Sequence, residues 1–326
     1  MLRLLILGIL IIFVSISPSD ADELIPVRVT LSHFSVNNDK LILPEDAPYW
    51  PELEQASIAI DNNNYLYVLN LWNNEILVYG NDGTQIRKIK LPVKLFRFKF
   101  MNGRIEVSGA GDRFYVDGYD QAKKLQQIIF NEKGNLIKKF SDEKEIAWNF
   151  PTTRLCNKPY FLFLKGGLLY DENLQQIKEP FVGFSDNEGR YYFDYKKHLL
   201  VKLSKDGGAL WEKQFKSDFE IIGVDSNNYL YIVKRLENED PDYLYKLDPK
   251  GKIKAQVKIP NPFPLLTQTE KDDFYALKSE EPFASFRLTC NGEVYLTYRI
   301  SKLPESVFKR WSKGGEFFIY RFESKR

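Results

Sequence analysis

The stretch "NNYLY" occurs twice, at residues 63–67 and again at 227–231. Each copy lies in a longer similar block, "IAIDNNNYLYVLN" early and "IGVDSNNYLYIVK" late. Weaker versions of the "YLYV" core are "RFYV" at 113, "YFLF" at 160, "RYYF" at 190 and "EVYL" at 293, and the successive starts of the six blocks are 48, 47, 30, 39 and 64 residues apart. Self-similarity at this period predicts a repeat protein whose units cover one another.

Most copies continue into an alternating strand, a tight turn and a further strand, as in "EILVYGNDGTQIRKIKLP". Period-2 alternation broken by Asp-Gly or Lys-Gly turns predicts antiparallel hairpins. Four strands in roughly 40 residues are typical of a β-propeller blade. The last unit is one strand short, and the alternating segment "IPVRVTLSHF" at 25–34 can supply that strand. The sequence therefore predicts an all-β fold, a six-bladed β-propeller of four-stranded antiparallel blades, with the ring closed by an N-terminal strand that completes the last blade.

The run "AIDNNNYLYVLN...NEILVYGNDGTQIRKI" resembles an NHL repeat, in which an Asp ends one strand, a turn follows, and "YV" begins the next. The late copy resembles it equally well, and the other four units do so weakly. The resemblance implies a six-bladed propeller of exported bacterial type. It carries over no catalytic residue, because such rings serve as binding modules, lyases and hydrolases alike.

The N-terminus, "MLRLLILGILIIFVSISPSDAD", has one early Arg, an apolar run at 4–14 and small residues before a possible cleavage after Ala21. That run is shorter than the about 20 residues of a bilayer-spanning helix and is typical of a signal peptide. We expect residues 1–21 to be a signal peptide and 22–326 a single propeller domain, exported to the periplasm or the extracellular space. An uncleaved N-terminal anchor is the alternative and the only membrane contact expected.

The chain has 46 basic and 44 acidic residues, with no basic block. A nucleic-acid surface needs clustered Lys and Arg, so no nucleic-acid partner is expected.

The recurring Asp61, Asp186 and Asp225 suggest metal ligands at first sight. Asp before such turns, however, caps the turn through its own side chain, and this interpretation is favoured. The only histidines, His33 and His198, cannot form an all-His metal site. No catalytic residue, metal ligand or cofactor is assigned, although bound calcium is left open.

Cys156 and Cys290 fall in equivalent places of the third and sixth units. Those units would face each other across a six-membered ring, whereas a disulfide needs Cα atoms within about 7 Å. We therefore expect both cysteines to be unpaired.

The predicted turns at one end of the blades are minimal, such as "DNNN", "NDG" and "PKG". The long segments all belong to the opposite end: 33–55, 235–242, 260–283 and 300–315. Insertions on a single face of a repeat protein usually mark its working face.

Loop residues just past each "YLYV" strand, together with one aromatic from 300–315, are the candidate ligand-binding residues: Asn70, Trp72, Asp117, Tyr119, Lys196, Arg235, Arg299 and Trp311. Mixed charges and aromatics suit a protein, peptide or glycan partner. The sequence thus predicts a recognition module. A calcium-dependent lyase or lactonase-like hydrolase and a purely structural scaffold are the alternatives.

Overall fold

The structure is a computed structural model that describes residues 23–35, 58–71, 73–96, 103–140, 163–165, 168–171, 175–176, 184–217, 219–234, 243–260, 284–298 and 316–325. Within these residues, no helix has the length and apolar character needed to cross a bilayer. All their regular structure is β.

The described residues form 22 strands, grouped here in sheets numbered by the repeat unit that they contain. Sheet I consists of β2 (Ile58–Ile60), β3 (Leu66–Asn70), β4 (Glu75–Tyr79) and β5 (Gln85–Lys90). Sheet II consists of β6 (Arg104–Val107), β7 (Arg113–Tyr119), β8 (Leu125–Asn131) and β9 (Leu136–Phe140). Hairpin III consists of β10 (Phe163–Lys165) and β11 (Leu168–Tyr170). Sheet IV consists of β12 (Phe184–Ser185), β13 (Gly189–Asp194), β14 (Leu199–Ser204) and β15 (Ala209–Gln214).

Sheet V consists of β16 (Phe219–Val224), β17 (Leu230–Lys234), β18 (Tyr243–Leu247) and β19 (Ile253–Lys258). Sheet VI consists of β20 (Ala284–Leu288), β21 (Val294–Tyr298), β22 (Glu316–Lys325) and β1 (Glu23–Ser35).

Every four-stranded sheet is an antiparallel meander, and sheet VI takes its fourth strand from the N-terminal end of the chain. Strand β1 pairs with β22 from Glu23↔Lys325 to Thr30↔Phe318. The predicted pairing of 25–34 with the last strand is thereby confirmed. The first and last described strands share one sheet.

The "NNYLY" stretch repeats because each of its residues has a fixed place in a turn and a strand. Asp61 Oδ1 accepts hydrogen bonds from the backbone N–H groups two and four positions on, both at 2.9 Å. Asn64 has φ = 65°, in the left-handed region that Asn tolerates. The Tyr67 hydroxyl donates to Asp61 Oδ2 at 3.0 Å. All these features recur around Asp225, so the interpretation of the Asp residues as turn caps is confirmed.

One tyrosine of each four-stranded sheet lies at the same level of the fold, and each is at most 1 % exposed: Tyr67, Tyr115, Tyr191, Tyr231 and Tyr295. In the fourth unit, the third letter of the block "RYYF" at 190 predicted Tyr192 at this position. The structure places Tyr191 there, because the turn after Asp186 is one residue shorter and closes on Gly189. Each of these tyrosines pairs with a residue in the first strand of its own sheet, from Ala59 in sheet I to Arg287 in sheet VI.

Neighbouring sheets contact each other through their first turns. Asn62 N–H donates to Gly109 O at 2.9 Å between sheets I and II, and Asn291 Nδ2 donates to Asn62 O at 2.6 Å between sheets VI and I. Equivalent bonds join VI to V and V to IV. The five sheets therefore follow one another in the order II, I, VI, V, IV. Four-stranded meanders packed in series are the architecture of a β-propeller, as the sequence predicted.

The turn glycines allow this close packing. Gly292 has φ = 86°, and a Cβ there would lie 2.6 Å from the Tyr231 hydroxyl and 2.7 Å from Asp225 Oδ2. A Cβ on Gly111 would come just as close to Asp61 Oδ2 of sheet I, and it would lie 2.7 Å from the Tyr67 hydroxyl. The Asp61–Tyr67 and Asp225–Tyr231 pairs are thus each covered by a glycine of the next sheet.

The prediction of two unpaired cysteines is wrong. Cys290 is disulfide-bonded, and the chain has only one other cysteine, Cys156, which lies outside the described residues. The expectation took the separation of the two cysteines from their assignment to opposite units of the repeat, and the disulfide shows that this assignment does not give the distance between them.

Candidate functional site

Each sheet has two ends. At the turn face, the first strand meets the second and the third meets the fourth, in the short turns described above. At the loop face, the first strand begins and the second strand turns into the third. Of the long segments predicted for the loop face, 235–242 and 300–315 lie wholly outside the described residues, as do most of 33–55 and 260–283.

Asp117 and Arg104 form an ion pair where sheet II begins, at the loop face. Arg104 N–H donates to Asp117 Oδ1 at 2.9 Å, and its guanidinium reaches Oδ2 at 2.8 Å from Nε and 2.6 Å from the second nitrogen. The Asp117 side chain is 3 % exposed and that of Arg104 is 37 % exposed. The carboxylate is therefore enclosed, and it holds a guanidinium that still reaches solvent.

Burial raises the pKa of the Asp117 carboxyl above its ordinary value, although the Arg104 guanidinium acts in the opposite direction. For Arg104, burial alone would lower the pKa, but the charge and the hydrogen bond of Asp117, together with Tyr115 and Tyr119, outweigh burial and raise the pKa. Arg104 is a fixed cation at this face, because both Nε and one terminal nitrogen are oriented by the same oxygen.

Arg104 is a candidate that sequence reasoning missed. Arg104 and Asp117 lie equally far from the turn at 108–113, and residues placed so in a hairpin face each other across the two strands. This symmetry could have predicted the pair and shown that the exposed member is the arginine.

Asn70 ends β3 on the same face and belongs to a polar cluster around Glu75. Its Nδ2 lies 3.4 Å from Glu75 Oε1, and that oxygen also accepts from Asn73 at 3.3 Å. Lys88 Nζ lies 3.5 Å from the same oxygen. Asn70 thus contributes to a network that organises the end of sheet I.

Sheets I and II meet at the loop face. A Cβ on Gly103 would lie 2.7 Å from Asp117 O and 2.8 Å from Leu71 Cδ1, the residue after Asn70. Tyr119 ends β7 beside this contact, and its backbone O accepts from Phe96 N–H at 2.7 Å. The structure therefore brings Asn70, Asp117 and Tyr119 to adjoining sheet ends.

Lys196 lies apart from these residues, in the turn after β13 of sheet IV. Its side chain is exposed, and so are those of Tyr195, Lys197 and His198 in the same turn. The other candidates, Trp72, Arg235, Arg299 and Trp311, lie outside the described residues and stay predictions.

A second ion pair crosses the inner side of sheet I. Arg287 of β20 reaches Glu106 Oε1 of β6 at 3.0 Å, although sheet I lies between their two sheets. Each of the two residues lies opposite a tyrosine of the tyrosine layer, and the equivalent residue of sheet I is the small, fully buried Ala59. The alanine leaves room for the arginine to pass, so this pair ties together two sheets that are not neighbours.

Within the described part of the chain, no group of three or more His, Cys, Asp or Glu side chains is arranged to hold a metal ion. The Asp residues of the turns are occupied by backbone N–H groups and by tyrosine hydroxyls. The candidate site is therefore described by its charges and hydrogen bonds.

No protein-family model matches the sequence, and no curated protein matches it. Among solved structures, the chain is similar to virginiamycin B lyase from Staphylococcus aureus, with 15 % identity, a TM-score of 0.39, and coverage of 84 % of this chain and 82 % of that one. It is also similar to a member of the DUF4221 family from Bacteroides vulgatus, with 12 % identity, a TM-score of 0.40, and coverage of 94 % and 99 %. A protein assigned as exported from Bacteroides fragilis has 9 % identity, a TM-score of 0.43, and coverage of 95 % and 97 %. At this degree of likeness, function has to be inferred from the residues of this chain.

Proposed function

We propose that the chain is an exported, single-domain recognition module, which binds an acidic group of a peptide or glycan at its loop face. The observation that carries the proposal is Arg104, held by the buried Asp117 with its guanidinium reaching solvent. Guanidinium groups fixed in this way bind carboxylates in a defined orientation. Asn70 and Tyr119, on the adjoining sheet ends, add polar and aromatic contacts.

The architecture that we infer is a six-bladed ring, closed by strand β1 in the last blade. Five four-stranded sheets in consecutive contact support it, as does hairpin III, in which Tyr170 forms a further bridge to Gln176. The disulfide at Cys290 supports an oxidising compartment and hence export. The expected signal peptide at 1–21 lies outside the described residues.

Binding to arrays of peptides and glycans tests the function directly. We expect wild type to select acidic members, and Arg104→Ala to lose at least about ten-fold in affinity, since charge-assisted hydrogen bonds contribute about 1.5–3 kcal/mol. Arg113→Ala is the matched control, because Arg113 begins β7 of the same sheet at the turn face. Equal losses in the two variants would exclude a site at Arg104.

The segment 300–315 provides an independent test of the loop face. Replacing it by a short Gly-containing turn should leave the circular dichroism spectrum unchanged and abolish binding. Normal binding by this variant would show that the ligand site does not involve the segment 300–315. Among the described residues, no cluster of possible metal ligands supports the alternative of a calcium-dependent hydrolase. Elemental analysis of the purified protein tests that alternative.

A further inference from the structure

The outermost strands of four sheets share an irregularity. In β5, β9, β15 and β19 the register shifts by one residue shortly after the hairpin turn, which leaves one residue of each strand without a partner opposite. The extra residues are Ile86, Ile137, Leu210 and Lys254. A bulge bends its strand and turns the extra side chain away from the regular pleat.

Three of these bulge residues expose large aliphatic side chains. Ile86 is 54 % exposed, Ile137 is 49 % exposed and Leu210 is 50 % exposed. Leu136, beside Ile137, is 46 % exposed. In sheet V the same place is taken by Lys254, so the fold does not require an aliphatic residue there.

The bulges of sheets I and II lie side by side. Arg87 Nη1 is 3.3 Å from Glu132 Oε2, and a Cβ on Gly134 would lie 3.2 Å from Lys90 O. The two hairpins therefore form one surface, the I/II patch, which consists of Ile86, Arg87, Lys88, Lys90, Lys133, Leu136, Ile137, Lys138 and Lys139.

The I/II patch is strongly basic. Residues 80–90 and 131–140 contain six Lys or Arg and two Asp or Glu, whereas the whole chain has a surplus of only two basic residues. One of the two acids, Glu132, is paired with Arg87. The sequence hides this concentration, because the two hairpins are separated by sheet II's first strands.

Charged residues and bulges on an edge strand prevent pairing with another chain. That protection explains the lysines, but it does not explain aliphatic bulge residues, since Lys254 of sheet V protects its edge equally well. Exposed aliphatic side chains grouped among cations suit a partner that accepts both.

We propose that the I/II patch docks on an anionic lipid surface. Protein–protein interfaces favour aromatic residues and are poor in Lys, and single-stranded nucleic acids stack on aromatic rings. The patch has the opposite composition, with Lys and aliphatic side chains together. At a bilayer surface, apolar side chains enter the headgroup boundary while Lys and Arg meet the anionic lipids. This contact is separate from the N-terminal apolar run and from Arg104 and Asp117, although Lys88 also contacts Glu75 in the network at the loop face.

Sedimentation of the full chain with phosphatidylcholine vesicles, with or without one quarter phosphatidylglycerol, tests the proposal. The readout is the ratio of partition coefficients for the two vesicles, which removes any common contribution of the N-terminal run. We expect the triple variant Lys90→Glu/Lys133→Glu/Lys139→Glu to lower this ratio at least about a hundred-fold. Each basic residue near an anionic surface increases binding about five-fold, and three such contributions multiply.

Matched variants separate the patch from a general effect of charge. Lys250→Glu/Lys252→Glu/Lys254→Glu changes the charge equally on sheet V and should leave most of the ratio intact. Ile86→Thr/Ile137→Thr should weaken binding to anionic vesicles, whereas Leu210→Thr should not. Equal binding of wild type to both vesicles, equal losses in the two lysine triples, or capture of polyglutamate without capture of vesicles would each overturn the proposal.

Discussion

Asp186 and Asp225 open equivalent turns, yet their carboxyl groups have opposite pKa shifts. Burial alone would raise the pKa of Asp186, but hydrogen bonds from Lys202, Tyr191 and two backbone N–H groups outweigh it and hold the pKa below its ordinary value. For Asp225, burial raises the pKa, and the hydrogen bonds from the turn and from Tyr231 offset it only in part. The two pKa shifts differ in sign because of Lys202, which is itself fully buried and contacts Asp186 Oδ2 at 2.8 Å.

The sign of each shift fixes its effect on stability. Asp186 stabilises the folded state above its unfolded pKa of about 3.9, and this contribution is lost as pH falls through its folded pKa. Asp225, with a raised pKa, disfavours the folded state above that pKa, and this penalty disappears on acidification.

We therefore expect Asp186→Asn to lower the unfolding free energy by about 2–4 kcal/mol at pH 7, because Lys202 stays buried with a partner removed. Asp225→Asn should cost less than about 1 kcal/mol. Urea unfolding at pH 7 and pH 3 measures the unfolding free energy of both variants, and the difference between these two free energies should be smaller at pH 3. Equal costs at pH 7 would contradict the proposed contribution of Lys202.

A second residue-scale prediction concerns the turn glycines. Gly207 has φ = 89°, and a Cβ added there would have no atom within 4 Å, whereas Gly292 combines φ = 86° with two contacts below 3 Å. Alanine at 207 should cost about 1 kcal/mol from backbone strain alone. Gly292→Ala should cost at least about 2 kcal/mol more, since it also displaces the Asp225–Tyr231 pair. Thermal unfolding of the two variants gives the difference directly.

At this scale, sequence reasoning predicted the turn caps because Asp before Asn has a local cause. It could not predict the Asp–Tyr hydrogen bonds or the glycines that cover them, since both depend on how adjacent strands and sheets approach. The one-residue displacement at Tyr191 has the same origin, because turn length, and not spacing, decides which tyrosine faces inward.

Between elements, the Glu106–Arg287 pair makes a connection that no local pattern indicates. Its two strands belong to sheets that are not neighbours, and only the small Ala59 between them allows the contact. Hairpins were predictable from alternation and turn residues, because a strand and its partner are close in sequence. The outer bulges were not, because they require the register of two strands to be known.

A double-mutant cycle measures the Glu106–Arg287 pair. Arg287→Met and Glu106→Gln should each cost about 2–4 kcal/mol, and the double variant should cost at least about 1 kcal/mol less than their sum. The exposed Arg87–Glu132 pair is the control, with an expected coupling below about 1 kcal/mol. Additive costs at 106 and 287 would mean that the two side chains act independently.

Across the whole molecule, the disulfide at Cys290 corrects the expected arrangement and makes stability depend on redox conditions. The chain contains only two cysteines, more than a hundred residues apart. A cross-link that closes so long a segment lowers the conformational entropy of the unfolded chain. It thereby stabilises the folded state by about 2–5 kcal/mol.

Reductant should therefore lower the urea midpoint of the wild type, and Cys290→Ser should lower it equally without reductant. Reductant should leave the unfolding of Cys290→Ser unchanged. A wild-type midpoint that is insensitive to reductant would show that the bridge contributes nothing to stability.

The pairing of β1 with β22 also has a consequence for the order in which the protein matures. During synthesis, β1 has no partner on this side until Glu316–Lys325 has followed it. Contacts between the two ends of a long chain form slowly, because the intervening segment has to be ordered first. Sheets I, II, IV and V can assemble while the chain is still arriving, but Glu23–Ser35 stays without this partner until β22 has arrived. The time during which this edge is open to proteases and to aggregation is therefore set by the arrival of β22, and loss of β22 would leave both β1 and β21 without the partner that they share.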